Sequence, residues 1–187
     1  FLHSNILRKS EEQQNPLTLY RQAIAQYKEG LELKTRHFEQ AKPLFQKAVN
    51  MLLASLKGFK EKKNTDIEQF NCLSSLASCY RDLKEYTSAL AVCEKAIKIQ
   101  FKLDPNNIEN ILKKYNGCLE LSGEKPAVLY SQAEKSLENE KYIVALHKFK
   151  FVLNFYKNNL VEDENIKIKE IAKKIEKIEE KWFCRNL

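Results

Sequence analysis

The sequence predicts an all-α protein built of helix-turn-helix pairs, and three observations predict it. Gly and Pro occur only four times each in 187 residues, a composition dominated by helix formers. No run alternates apolar and polar residues as a strand would. Between Leu73 and Ile99, two apolar stripes of helical spacing flank the short polar break Lys84-Glu85. They are Leu73, Leu76, Tyr80 and Leu83, then Tyr86, Ala89, Cys93 and Ala96. Small residues (Ala77, Ala89, Ala96) stand where two such helices would approach most closely.

The remaining helices follow in order. Asn15-Pro16 reads as an N-cap followed by Pro at the first helical position, opening a helix to about Lys34. A second, from about Phe38 to Leu56, carries Ala41, Phe45, Ala48 and Leu52 on one face. The lysine-rich stretch 57–64 is expected to be a loop, closed by a capping box, Thr65 to Glu68, that starts helix three. After helices three and four, Asp104-Pro105 gives another cap-plus-Pro start for a fifth helix with Ile108, Ile111, Leu112 and Leu119. Ser122-Gly123 ends it. Helix six runs from Pro126 to about Asn139, and helix seven carries Tyr142, Ala145, Phe149 and Val152. The last helix, from Asn165 to about Phe183, has Ile168, Ile171, Ile175, Ile178 and Trp182 in a coiled-coil rhythm. Such a helix either caps the last repeat or forms a dimer seam.

The pair around Leu73–Ile99 resembles a tetratricopeptide repeat, a helix-turn-helix unit of about 34 residues that stacks into a solenoid. That resemblance implies about three repeats, some degenerate, with a long C-terminal capping helix. The small residues opening each second helix, Ala41, Ala89 and Ala145, are 48 and 56 residues apart. Helices five and six are therefore either an insertion or a decayed repeat. The expected organisation is a linker or remnant over 1–15, the repeat domain over 16–160 and a charged amphipathic helix over 161–187. The wording Ser74-Ser75-Leu76-Ala77-Ser78-Cys79 is similar to the second repeat of the large immunophilins, of FK506-binding and cyclophilin type, and of related heat-shock co-chaperones. In that family a groove of Lys, Asn and Arg side chains grips the acidic tail of a heat-shock chaperone, a sound use of charge-assisted bonds. This chain departs from the pattern: the clamp positions fall on Gln26 and Gly30 (or Tyr27 and Leu31), on Ser75, and on Glu109 and Lys113 or Ala127 and Ser131.

Other classes are disfavoured. The net charge of +7 and pI near 9.0 come from Lys interleaved with Glu, and no RNA-binding aromatic motif or zinc-finger spacing accompanies them. Nucleic acid is thus an unlikely partner, and an acidic peptide suits a mildly positive groove better. No apolar run approaches the roughly 20 residues that span a bilayer. Five cysteines form no CxxC pair, which points to reduced thiols and a cytoplasmic or nuclear location. His3, His37 and His147 have no metal-ligand spacing, and no phosphate loop or nucleophile elbow appears. No metal, cofactor or catalytic residue is expected in this chain.

Binding is the remaining reading: a protein or peptide partner held in the face lined by the first helix of each pair, with a heat-shock chaperone as the partner the resemblance implies. The expected groove residues are Tyr27, Lys34, Asn71, Ser75, Ser78, Arg81, Lys113 and Asn116, with Ser74 beside them. Two alternatives stand. The start at Phe1 and the immunophilin-like wording suit the C-terminal arm of a larger peptidyl-prolyl isomerase that binds heat-shock protein 90. The Ile168-to-Trp182 seam suits a self-assembling scaffold. The oligomeric state is open.

Overall fold

The computed structural model describes residues 15–159 and 165–185, the side chains of 165 and 182–185 excepted. These residues form eight α-helices, one 3₁₀ turn and no strand. The all-α, helix-pair fold class expected from the sequence is the one observed. The chain divides after Ser122 into two compact units.

The first unit begins with α1 (Pro16–Lys34), whose start is capped as expected: Asn15 Oδ1 accepts from the Leu17 amide at 2.9 Å. Helix α2 (Phe38–Lys60) lies against α1 through Ala41, Phe45, Ala48, Val49, Leu52, Leu56 and Phe59, all buried at three-four spacing. Gly30 of α1 is required there, because a Cβ on it would stand 2.6 Å from Phe45 Cε1. Helix α2 outruns its expected end by one turn. The lysine-rich stretch is therefore not wholly a loop: Lys57 and Lys60 lie on the helix, and Phe59 at 6 % exposure continues its apolar stripe. Gly58 permits this extra turn, since a Cβ would meet Pro16 Cγ at 2.5 Å. Nearby, the Ser55 hydroxyl donates to the Pro16 carbonyl at 2.6 Å, satisfying both in the core.

Helix α3 (Asp66–Asp82) and helix α4 (Tyr86–Leu103) form the clearest pair. The capping box expected at Thr65 does not form. Its hydroxyl donates backwards to the Phe59 carbonyl at 2.7 Å and accepts from Gln69, so it closes the α2–α3 turn instead of capping α3. Between α3 and α4 the chain reverses through Lys84 at φ 64°. The Glu85 amide donates to the Tyr80 carbonyl at 2.8 Å and the Lys84 amide to Arg81 at 3.0 Å, a Schellman-type closure. Asp104-Pro105 opens a 3₁₀ turn (Pro105–Asn107) rather than the fifth helix, with Asp104 Oδ1 accepting from the Asn106 amide. Helix α5 (Glu109–Ser122) starts after it, packs on α4 and α3, and ends at Gly123 with φ 64°.

The second unit holds α6 (Pro126–Glu138), α7 (Tyr142–Asn159) and α8 (Asn165–Arg185). Helices α6 and α7 pair through the turn already seen between α3 and α4. Glu140 takes φ 58°, Lys141 N bonds Ser136 O at 2.8 Å, and Glu140 N bonds Leu137 O at 3.0 Å. Leu73, Ala77, Tyr86 and Ala89 recur as Leu129, Ala133, Tyr142 and Ala145, and all but the two tyrosines are buried. Of the two readings open for helices five and six, the geometry makes α6 the first helix of a pair with α7, while α5 belongs to the unit before it.

Helix α8 lays Ile171, Ile175 and Ile178, at 1 %, 7 % and 3 % exposure, against the rest of this unit, chiefly α7. Lys150 pairs with Glu179 at 2.6 Å, and Lys174 reaches Glu134 and lies 4.8 Å over the Tyr130 ring. The isoleucine seam is thus used inside the chain, as a capping helix would use it. The Trp182 side chain lies outside the described residues.

Candidate functional site

In the first unit, the first helices of the two pairs, α1 and α3, and the unpaired α5 touch along one row. The apolar positions of α3 (Cys72, Leu73, Leu76, Ala77, Cys79) are buried, and what remains for the row's open face is Asn71, Ser74, Ser75, Ser78 and Arg81. Asn71 is exposed; the other four are half-buried.

Two polar ties cross this row. The first gathers Tyr27, Lys34 and Arg81 around Asp82, a carboxylate at 4 % exposure. The Tyr27 hydroxyl donates to Asp82 Oδ2 at 2.7 Å, and Lys34 Nζ to Oδ1 at 2.8 Å. Arg81 Nε stands 3.6 Å from Oδ1, outside good hydrogen-bond range. Burial and the hydrogen bond to Asp82 push the Tyr27 phenol well above its ordinary range. Three expected groove residues therefore converge, but on a carboxylate of their own chain that sequence reasoning missed. Asp82 ends α3 beside the polar break, where an acidic residue reads as solvated.

The second tie is Lys114. Its ammonium donates to the Ser74 carbonyl at 3.1 Å, the Ser74 hydroxyl at 2.8 Å and the Ser78 hydroxyl at 3.1 Å. Burial holds Lys114 below the ordinary lysine value, and the Arg81 charge acts in the same sense. Lys113, the residue expected in the groove, instead pairs with Glu109 at 2.9 Å, with side chains 70 % and 78 % exposed. The helical period separates them: neighbours on α5 point about 100° apart, so only one can face α3. Asn116 is half-buried on the same helix, and Ser75 is half-buried on α3.

Beneath the row sit the thiols Cys79, Cys93 and Cys118, all free and buried. Burial pushes Cys79 up to about 12, and Cys93 is held up by its hydrogen bond to Cys118 and by burial. Cys79 and Cys93 are packing thiols, poor nucleophiles at neutral pH, whereas the hydrogen bond from Cys93 lowers Cys118 to about 7. No cluster of metal-ligating side chains occurs among the described residues, and none of their helices is long and apolar enough to cross a membrane.

Beside Asp82, a cleft of about 240 Å³ opens between the α1–α2 and α3–α4 turns. Lys34, Arg81 and Lys84 surround Asp82 on its polar side; Phe38, Tyr86 and Leu121 make its apolar side.

Residues 71–103 match the tetratricopeptide repeat family. The match covers α3 from Asn71 and the whole of α4, the pair whose first helix carries both ties. No curated protein and no solved structure matches the chain. A tetratricopeptide repeat supports a protein-interaction role.

Proposed function

We propose that the first unit is a docking module for a peptide or partner helix, held along the row of helices α1, α3 and α5. The observation that carries this is the character of α3's open face inside a tetratricopeptide pair. Small serines let a ligand backbone approach closely, and Arg81, Lys114 and Lys34 set a positive field around them. Panning a peptide-display library on the full chain tests it. Selected peptides should lose binding to Ser75→Trp while the helical circular-dichroism signal is unchanged; peptides indifferent to Ser75→Trp would move the site off this row.

A heat-shock chaperone is the partner class that the immunophilin-like wording suggests, in a cytoplasmic setting. The donors argue for loose capture of its tail. Lys34 is engaged by Asp82 and Lys114 by the serines, so a ligand carboxylate would have to displace internal bonds worth about 1.5–3 kcal/mol each in hydrogen bonds to charged groups. Calorimetric titration with an EEVD peptide should give weak binding that vanishes as salt is raised past physiological strength, where screening acts over about 8 Å. Tight, salt-resistant binding would restore a true clamp.

A further inference from the structure

We infer that the cleft beside Asp82 is a docking pocket for an internal acidic–apolar peptide segment, in which a Glu or Asp side chain neighbours an aliphatic one. This rests on the docking-module reading above and adds the ligand's chemistry at one end of the row.

The cleft places two chemistries side by side. On one side, Asp82 is already satisfied by Tyr27 and Lys34, so its presence does not consume the other cations. Arg81, its side chain 39 % exposed, stands 3.6 Å from Asp82. Lys84 lies 5.3 Å over the Phe38 ring, a cation–π contact of small worth at an exposed position. Both can turn to a carboxylate at little cost, and Arg81 can take it bidentately.

On the other side, Leu121 is 53 % exposed at the end of α5, facing the same space as Phe38 and Tyr86. A bare anion would leave that wall wet, and a purely apolar ligand would bury Arg81 and Lys84 without partners. A segment carrying both groups on adjacent residues satisfies both. Arg81 comes from α3 and Leu121 from the end of α5, so a cation and an apolar side chain reach the cleft from different helices, which suits two neighbouring side chains of a passing strand better than one chain end.

The test is a titration of the ¹⁵N-labelled full chain with a terminally blocked pentapeptide, acetyl-Gly-Gly-Glu-Leu-Gly-amide. Amide shifts should concentrate at Arg81, Lys84 and Leu121. Replacing the peptide's Glu by Gln should weaken binding about tenfold, as should the Arg81→Gln/Lys84→Gln double variant, the scale of one lost charge-assisted contact. Leu121→Asp should weaken it as well. Three results would overturn the inference: no shifts at the cleft, equal affinity for the double variant, or binding only by a counterpart with a free terminal carboxylate. If the peptide bound through Ser75 and the cleft variants were silent, the docking module would stand and this pocket would fall. Library peptides that ignore both Ser75→Trp and the cleft variants would remove both.

Discussion

The Tyr27 hydroxyl lies 2.7 Å from Asp82 Oδ2, joining the middle of α1 to the last residue of α3. The contact is a tether between two first helices and satisfies one oxygen of a buried carboxylate. Tyr27→Phe should therefore destabilise the protein by about 1–2 kcal/mol, the scale of a hydrogen bond to a charged acceptor. Asp82→Ala should cost more, because it leaves Lys34 and Arg81 in mutual repulsion beside a cavity. Urea unfolding of both variants checks the order; a Tyr27→Phe protein as stable as the parent would make the tether incidental.

Lys114 and Lys113 are adjacent in sequence and opposite in consequence. Lys114→Ala removes three donated bonds across the row and should lower stability by about 1–2 kcal/mol, part of the loss being offset by relief of its desolvation. Lys113→Ala loses only an exposed pair four residues apart and should leave stability nearly unchanged. Equal effects in the two variants would contradict the assignment of Lys114 to the α3 face.

What the sequence made legible and what it concealed divide along one physical line. Helices α1, α3, α4, α6 and α7 are legible from their apolar periodicity, as in the stripe from Leu73 to Ala96, and at α1 the Asn15-Pro16 cap agrees with it. The errors fell where local signals and tertiary contacts compete. Thr65 has the composition of a cap, yet the Phe59 carbonyl takes its hydroxyl. Gly58 and the lysines around it look like a loop, yet Phe59 and the close approach to Pro16 keep the helix going. Asp104-Pro105 looks like a helix start and closes a 3₁₀ turn.

The row of first helices was foreseen from the repeat pattern, its polar ties were not. Tyr27, Lys34 and Arg81 were all singled out, but as donors to a ligand. Their internal acceptor, Asp82, sits at the end of a helix, where no periodic signal distinguishes a buried carboxylate from a solvated one. Lys114 was hidden for a related reason: a one-residue shift in the register of α5 decides which lysine faces α3, and the irregular spacing before that helix gave no anchor for the register.

Two glycines give a matched pair of stability predictions. Gly30→Ala would put a Cβ 2.6 Å from Phe45 Cε1 in a fully buried site, and overpacking should cost about 1–3 kcal/mol. Gly117 lies inside α5 with nothing within 4 Å of its would-be Cβ. Gly117→Ala should stabilise by about 0.4–1 kcal/mol through helix propensity and the entropy of the unfolded chain. Thermal melts of the two variants should move in opposite directions; a shared direction would contradict the α1–α2 packing or the open setting of Gly117.

The last prediction concerns alkaline pH. A group whose pKa is raised by folding contributes stability that is complete below its unfolded value and lost as pH climbs toward the folded one. Cys79, raised from 9.0 to about 12 by burial and by Asp82, belongs to this class, as do Tyr27 and the buried phenol of Tyr115. Lys114 opposes them: its depressed folded pKa means that deprotonation relieves a penalty as pH rises. Cys118, lowered to about 7 by its bond with Cys93, acts with Lys114, so stability should not decline below pH 9 and should fall above it as the raised acids ionise in the unfolded chain. At pH 10 an unfolded Cys79 thiol is largely ionised and the folded one is not, which alone removes about 1.4 kcal/mol. On the acid side, burial and then Lys150 hold His147 below its ordinary value of 6.5, so its contribution is present above that pH and lost as pH falls below it. Urea midpoints measured from pH 5 to 11 should trace a plateau with both shoulders. In Cys79→Ala the alkaline fall should be shallower by the Cys79 share, and an unchanged slope would mean that this thiol reaches solvent in the folded protein.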